Sequence, residues 1–192
     1  MIVLGIDPGS RKTGFAFVEL KGKEFKLLHS GVLNFEENDL FLDRVNPIFL
    51  ETKKILGFHP VDAVSMESLI YVKSPTALIK LAQTRGIILA ALSEKYEGKI
   101  FEYSPNLVKS STVGHGHADK ESVQKFLNMM LGKRTYKTND ESDAIAIALC
   151  HLLNLNSKIT MKPNLVKSVP KNSKRSLKAS LAHLASKKLG KS

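Results

Sequence analysis

Apolar and polar positions along the chain follow two periods, one of strands and one of helices. Residues 1–6 (Met-Ile-Val-Leu-Gly-Ile) form a continuous apolar run that stops at Asp7, the pattern of a strand covered on both faces. Pro8-Gly9 signals a turn, Pro presetting φ and Gly supplying a positive φ. Residues 15–20 return as the second arm of a hairpin, and 24–35 read as a third strand with a turn around Gly31. Asp39 is placed to cap a helix over 40–56 that turns Leu42, Val45, Ile48, Phe49 and Leu56 inward and ends at Gly57. After Pro60, residues 62–67 form a short buried strand that closes on Glu67. Pro75 opens a long helix through 96, and 99–103 supply a fifth strand. A Gly/His/Ser-rich loop over 104–118, a helix over 119–131, a polar loop over 132–139 and a last helix over 140–154 complete the body. The first three strands read as a meander and the later ones are reached through helices. This predicts an α/β fold with a mixed five-stranded sheet flanked by helices.

Charge divides the chain in two. Residues 158–192 carry 10 of the 29 Lys and Arg and none of the 18 Asp and Glu, so 1–157 are nearly neutral although the whole chain has a net charge of +11. The expected organisation is one domain over 1–157 and a basic, flexible C-terminal tail over 158–192. Within the tail, 176–189 could make a short amphipathic helix on Leu177, Leu181 and Leu184. An acid-free lysine tail is either a solvated segment or an arm that adds salt-sensitive affinity for nucleic acid. The single cysteine, Cys150, excludes a disulfide framework and fits a reducing, cytoplasmic setting. No signal-peptide pattern is read, and no apolar run approaches the roughly 20 residues that span a bilayer. No membrane partner is expected.

Four acids carry the candidate chemistry. Asp7 and Glu67 each close an apolar strand, and Asp140 and Asp143, three apart at a helix start, project from one face. Each has an ordinary explanation: an Asp before a turn hydrogen-bonds turn amides, and acids at a helix N-terminus favour its dipole. Asp143, however, is followed by an apolar run over 144–149, which marks a buried helix. An acid buried beside other acids needs a cation or a proton. Hard oxygen donors suit Mg²⁺ or Mn²⁺, and two such ions about 3.5–4 Å apart can promote phosphodiester cleavage.

Four segments then resemble one known family in order and spacing. Ile6-Asp7-Pro8-Gly9-Ser10-Arg11-x-Thr13-Gly14 looks like the N-terminal motif of the RuvC Holliday-junction resolvases. Leu81-Ala82-Gln83-Thr84-Arg85-Gly86 is similar to a helix motif of that family. Tyr103-Ser104-Pro105 with Val108-Lys109, then Gly114-x-Gly116-x-Ala118-Asp119-Lys120, resembles its loop segment. Asp140-x-x-Asp143-Ala144 with Cys150-His151 resembles its last helix. The resemblance covers about residues 1–155 and implies an RNase H-like fold. It implies that Asp7, Glu67, Asp140 and Asp143 are the catalytic acids and hold two Mg²⁺ ions, with Mn²⁺ able to substitute. Lys109 and Lys120 would face the phosphate backbone, and Arg11, Tyr71 and His117 would be further DNA contacts. The implied substrate is a four-way DNA junction, cut symmetrically in recombination and repair by water attacking phosphorus in line, leaving 5′-phosphate and 3′-hydroxyl ends. A homodimer joined partly through helix 75–96 and a branch-migration helicase complex are the implied partners.

Departures from the family pattern bear on single positions. Members often carry an aromatic residue where this chain has Ile70, so Tyr71 either substitutes for that stacking contact or the contact is missing. Ala82 replaces a helix glycine. His115-x-His117 lacks the further ligands of a zinc site and is read as part of a DNA-facing loop, and His151 as a core residue. Two other enzymatic readings are a related nuclease acting on structured RNA or other branched DNA, and a sugar-kinase-like ATPase, which 192 residues leave no room for. A non-cutting junction scaffold has no need of four mutually repelling carboxylates.

Overall fold

The computed structural model describes residues 1–37, 40–69, 74–113 and 120–155, except the side chains of Val113 and Lys120. Five strands, β1 (Ile2–Asp7), β2 (Lys12–Lys21), β3 (Glu24–Asn34), β4 (Ala63–Glu67) and β5 (Ile100–Tyr103), form one sheet in the order β3-β2-β1-β4-β5. β1, β2 and β3 are antiparallel neighbours, whereas β4 and β5 run parallel to β1. The sheet is therefore mixed, as the sequence predicts. Of the five helices among the described residues, α1 (Phe41–Ile55) and α2 (Pro75–Tyr96) pack together on one face. α3 (Pro105–Val113), α4 (Lys120–Leu131) and α5 (Asn139–Asn154) associate with the other.

Burial on both faces explains the unbroken apolar run of β1. Val3 faces the α5 side with Ala16 and Val18, and Leu4 and Ile6 face the α1/α2 side with Phe15 and Phe17. Two strand glycines let α5 lie directly on the sheet. A Cβ on Gly5 would stand 2.1 Å from the carbonyl oxygen of Ala144, and one on Gly14 would stand 1.9 Å from that of Asp140. No side chain fits at either place, so the N-terminal half of α5 rests on the β1–β2 pair.

Four local expectations are corrected. Gly9 does not adopt a positive φ. It is required because a Cβ there would meet the Lys12 carbonyl oxygen at 2.1 Å, while the Thr13 hydroxyl closes the turn on the Gly9 carbonyl at 3.1 Å. Gly31 is not a turn: it pairs with Phe15 inside β3, beneath the Phe15 ring. Residues 105–113, expected as loop, form α3, because Pro105 presets the first helical turn and the Ser104 hydroxyl accepts from the Leu107 amide at 3.2 Å. The buried stripe of α1 is Arg44, Ile48, Thr52 and Ile55, while Leu42 is 79% exposed. That stripe is shifted in phase from the predicted one and includes a buried arginine whose guanidinium lies over the Phe41 ring. α1 stops at Ile55, with Leu56 at its C-cap. The expected Asp39 cap and the segment over 176–189 lie outside the described residues.

Candidate active site

Strand register assembles the acids. Asp7, the last residue of β1, pairs with Gly14 on one side, and on the other side the parallel β1–β4 register ends at Ile6–Met66, one residue before Asp7 and Glu67. Two carboxylates therefore stand at neighbouring strand ends. The backbone of Asp140 lies over Gly14, the partner of Asp7, which brings the start of α5 to the same end of the sheet. The Thr138 hydroxyl caps α5 by accepting from the Glu141 amide at 3.2 Å.

A second acid in that turn fixes its place. Glu141, 8% exposed, accepts from the Ser30 hydroxyl at 2.7 Å and from the Lys137 amide at 2.9 Å, tying β3 to the loop before α5. The spacing Thr138-x-x-Glu141 is a capping-box signature that could have identified this residue from sequence.

Electrostatics show that the four acids share one environment. Asp7 is pushed up from 3.8 to about 7, first by burial, then by the charges of Asp143, Glu67 and Asp140. Glu67 is also raised, by burial and by Asp143, while Lys109 pulls it down. Lys109 projects from α3 and is itself exposed. Strand register and the α5 contact place Asp7, Glu67, Asp140 and Asp143 at the same end of the sheet, close enough for the charges of the other three to act on Asp7. Lys109 is the cation that acts on Glu67. Arg11 is exposed in the β1–β2 turn at the same end. Tyr71, with Ile70, and His117, with His115, lie outside the described residues, as does the side chain of Lys120.

A carboxyl raised by burial and by neighbouring acids, as Asp7 is, needs a proton or a cation beside it. Among the described residues, no group of three or more His, Cys, Asp or Glu side chains is arranged to hold a metal ion.

The other side of the sheet end is buttressed through β5. Tyr103 pairs with Glu67 in register, its carbonyl accepts from the Ser68 amide at 2.8 Å, and its hydroxyl is hydrogen-bonded to His151 Nδ1 on α5 at 2.7 Å. Burial lowers His151 to about 4, which keeps it neutral and bears out its reading as a core residue. No helix among the described residues is long and apolar enough to cross a membrane.

A β3-β2-β1-β4-β5 sheet with a helix seated across β1 and β2 is an RNase H-like fold, and Asp7, Glu67 and the start of α5 lie at one end of it. Residues 3–151 match the family described as "Crossover junction endodeoxyribonuclease RuvC". A relative of that name from Trichlorobacter lovleyi is 39% identical over 153 residues, covering 79% of this chain and 85% of its own. One from Ehrlichia canis is 37% identical over 157 residues, covering 82% and 99%. Among solved structures, that of T. thermophilus RuvC in complex with Holliday junction substrate superposes with a TM-score of 0.73 at 32% identity, covering 80% of this chain and 93% of the other. The chain belongs to the RuvC family of crossover junction endodeoxyribonucleases.

Proposed function

We propose that the chain resolves four-way DNA junctions by symmetric, metal-dependent phosphodiester cuts, working as a homodimer supplied by a branch-migration helicase complex. The observation that carries this reading is the convergence of Asp7, Glu67, Asp140 and Asp143 at one sheet end, with the pKa of Asp7 raised by burial and then by the other three. Family membership supplies the substrate, since the T. thermophilus relative is described with a Holliday junction.

The four carboxylates would hold Mg²⁺, or Mn²⁺ in its place, which supplies Lewis-acid activation of the phosphodiester and of water. With Asp7 raised to about 7, ion binding would favour its ionised, oxygen-donor form, and α5 holds two of the acids against the two strand ends. Burial strengthens every charge interaction there. Lys109, whose charge lowers the Glu67 pKa, would offset negative charge developing on the phosphate. Arg11, Lys120, Tyr71 and His117 are proposed as further DNA contacts, with Tyr71 stacking on a base. The 158–192 tail is proposed as an arm for sequence-independent DNA affinity.

The test compares three substrates with purified protein and Mg²⁺: a synthetic four-way junction, a linear duplex of matching sequence and a structured RNA. Paired nicks at symmetry-related positions on the junction alone support the reading. Preferential RNA cleavage would replace it with an RNA-directed nuclease, and tight junction binding without cleavage in Mg²⁺ or Mn²⁺ would replace it with a scaffold.

A further inference from the structure

Arg85 lies on α2 and is 6% exposed. A guanidinium keeps its charge in a protein, so burying it requires partners for both charge and donors. It has them at two points. Nη1 donates to the carbonyl oxygen of Glu67 at 2.7 Å, and Nη2 is paired with the Glu102 carboxylate on β5.

The place of contact matters because Glu67 is the last residue of β4. The β1 register with β4 ends one residue earlier, at Met66, so the sheet holds Glu67 only through β5. Arg85 adds a tie from the α2 side. The charges acting on the Glu67 carboxyl are those of Asp143 and Lys109, while Glu102 balances that of Arg85. The guanidinium therefore acts on the backbone of the acid and leaves its carboxylate to the site.

We infer that Arg85 is a positioning residue for Glu67: its planar fork, anchored on Glu102, fixes the strand end from which the site carboxylate projects. The catalytic consequence rests on the junction-nuclease reading, but the placement of Glu67 does not. Lysine cannot replace it, because one ammonium on a flexible stem lacks the fork that spans a carbonyl and a carboxylate at once.

The experiment uses the full chain with Arg85→Lys, and Glu102→Gln as a milder second variant that leaves Arg85 and Glu67 in place. Three quantities are read: Mn²⁺ affinity from the free-ion EPR signal, amide hydrogen exchange of the 63–69 segment, and single-turnover junction cleavage beside junction affinity without divalent ion. In R85K the Mn²⁺ dissociation constant should rise at least fivefold and exchange over 63–69 should speed at least tenfold. Cleavage should slow at least tenfold, with junction affinity within twofold of wild type. E102Q should move each quantity in the same direction by less, and it decides the matter if R85K does not fold. Unchanged Mn²⁺ affinity and unchanged 63–69 exchange would overturn the inference, as would faster exchange spread uniformly over the sheet. Wild-type protein that binds Mn²⁺ in an Arg85-dependent way yet cuts no junction would instead overturn the nuclease reading and leave the positioning role intact.

Discussion

Without a metal ion, the ionised Asp7 carboxylate destabilises the fold, and Asp7→Asn should relieve that. The folded-state pKa of Asp7 is raised to about 7, against an ordinary 3.8, by burial and by Asp143, Glu67 and Asp140. A group whose folded pKa lies above its unfolded value costs stability as pH rises. Below about 4 the carboxyl is protonated in both states and there is no penalty. Between about 4 and 7 only the unfolded chain ionises readily, so the penalty grows, and above 7 it is constant. A shift of about 3 units at 1.36 kcal/mol each sets an upper figure of about 4 kcal/mol. Relaxation of the site and entry of water reduce it, so a gain of about 2–3 kcal/mol is expected for D7N at pH 8. In a chain of this length that is a Tm increase of roughly 5–10 °C. The assay is thermal unfolding of wild type and D7N in EDTA from pH 4 to 9. The two Tm values should nearly coincide at pH 4, separate up to pH 7 and stay parallel beyond it. Added Mg²⁺ should raise the wild-type Tm and close much of the gap, since a ligand bound only by the native state stabilises it. A D7N protein less stable than wild type at pH 8, or a gap that does not change with pH, would refute the reasoning.

Three other perturbations probe separate parts of the account. Gly5→Ala sets a Cβ 2.1 Å from the Ala144 carbonyl oxygen, so α5 must lift from the sheet; urea unfolding should show a loss of about 2–3 kcal/mol or more, and cleavage should fall further than junction binding. Lys109→Ala removes the charge that lowers the Glu67 pKa; single-turnover cleavage should slow by about tenfold to a hundredfold, and the acid limb of its pH profile should move to higher pH. Deleting 158–192 removes 10 Lys and Arg; fluorescence anisotropy should show weaker DNA binding and a salt slope shallower by roughly 0.9 for each phosphate the tail neutralises, with the preference for junction over duplex kept.

The parts legible in the sequence are those where one residue type has one physical reason to be there. Acids at the ends of apolar runs stand out against hydrophobic neighbours, so Asp7, Glu67 and the Asp140/Asp143 pair can be named before any geometry. The meander and the helix-linked strands follow from the periods of two and 3.6. What stays hidden depends on contacts between distant segments. A glycine within a strand looks like a weak position, and only the seat of α5 shows why Gly5 and Gly14 must lack side chains. The phase of α1 is misleading in the sequence because Leu42 is more apolar than Arg44, yet the arginine lies inward over Phe41. Helix α3 is hidden by a polar, small-residue stretch in which Ser104 and Pro105 act as start signals. Arg85 stands in a family-like motif, but its work on the Glu67 carbonyl depends on a fold that brings α2 to the end of β4.

The most direct test separates cutting from binding. Wild type and D7N are given the same strand-labelled four-way junction, with affinity measured without divalent ion and nicks mapped after Mg²⁺ is added. Four carboxylates acting as one site for a cation predict symmetric nicks by wild type, none by D7N, and junction affinity in D7N equal to or above wild type because a negative charge has gone. Cleavage by D7N at a rate near that of wild type would contradict the account.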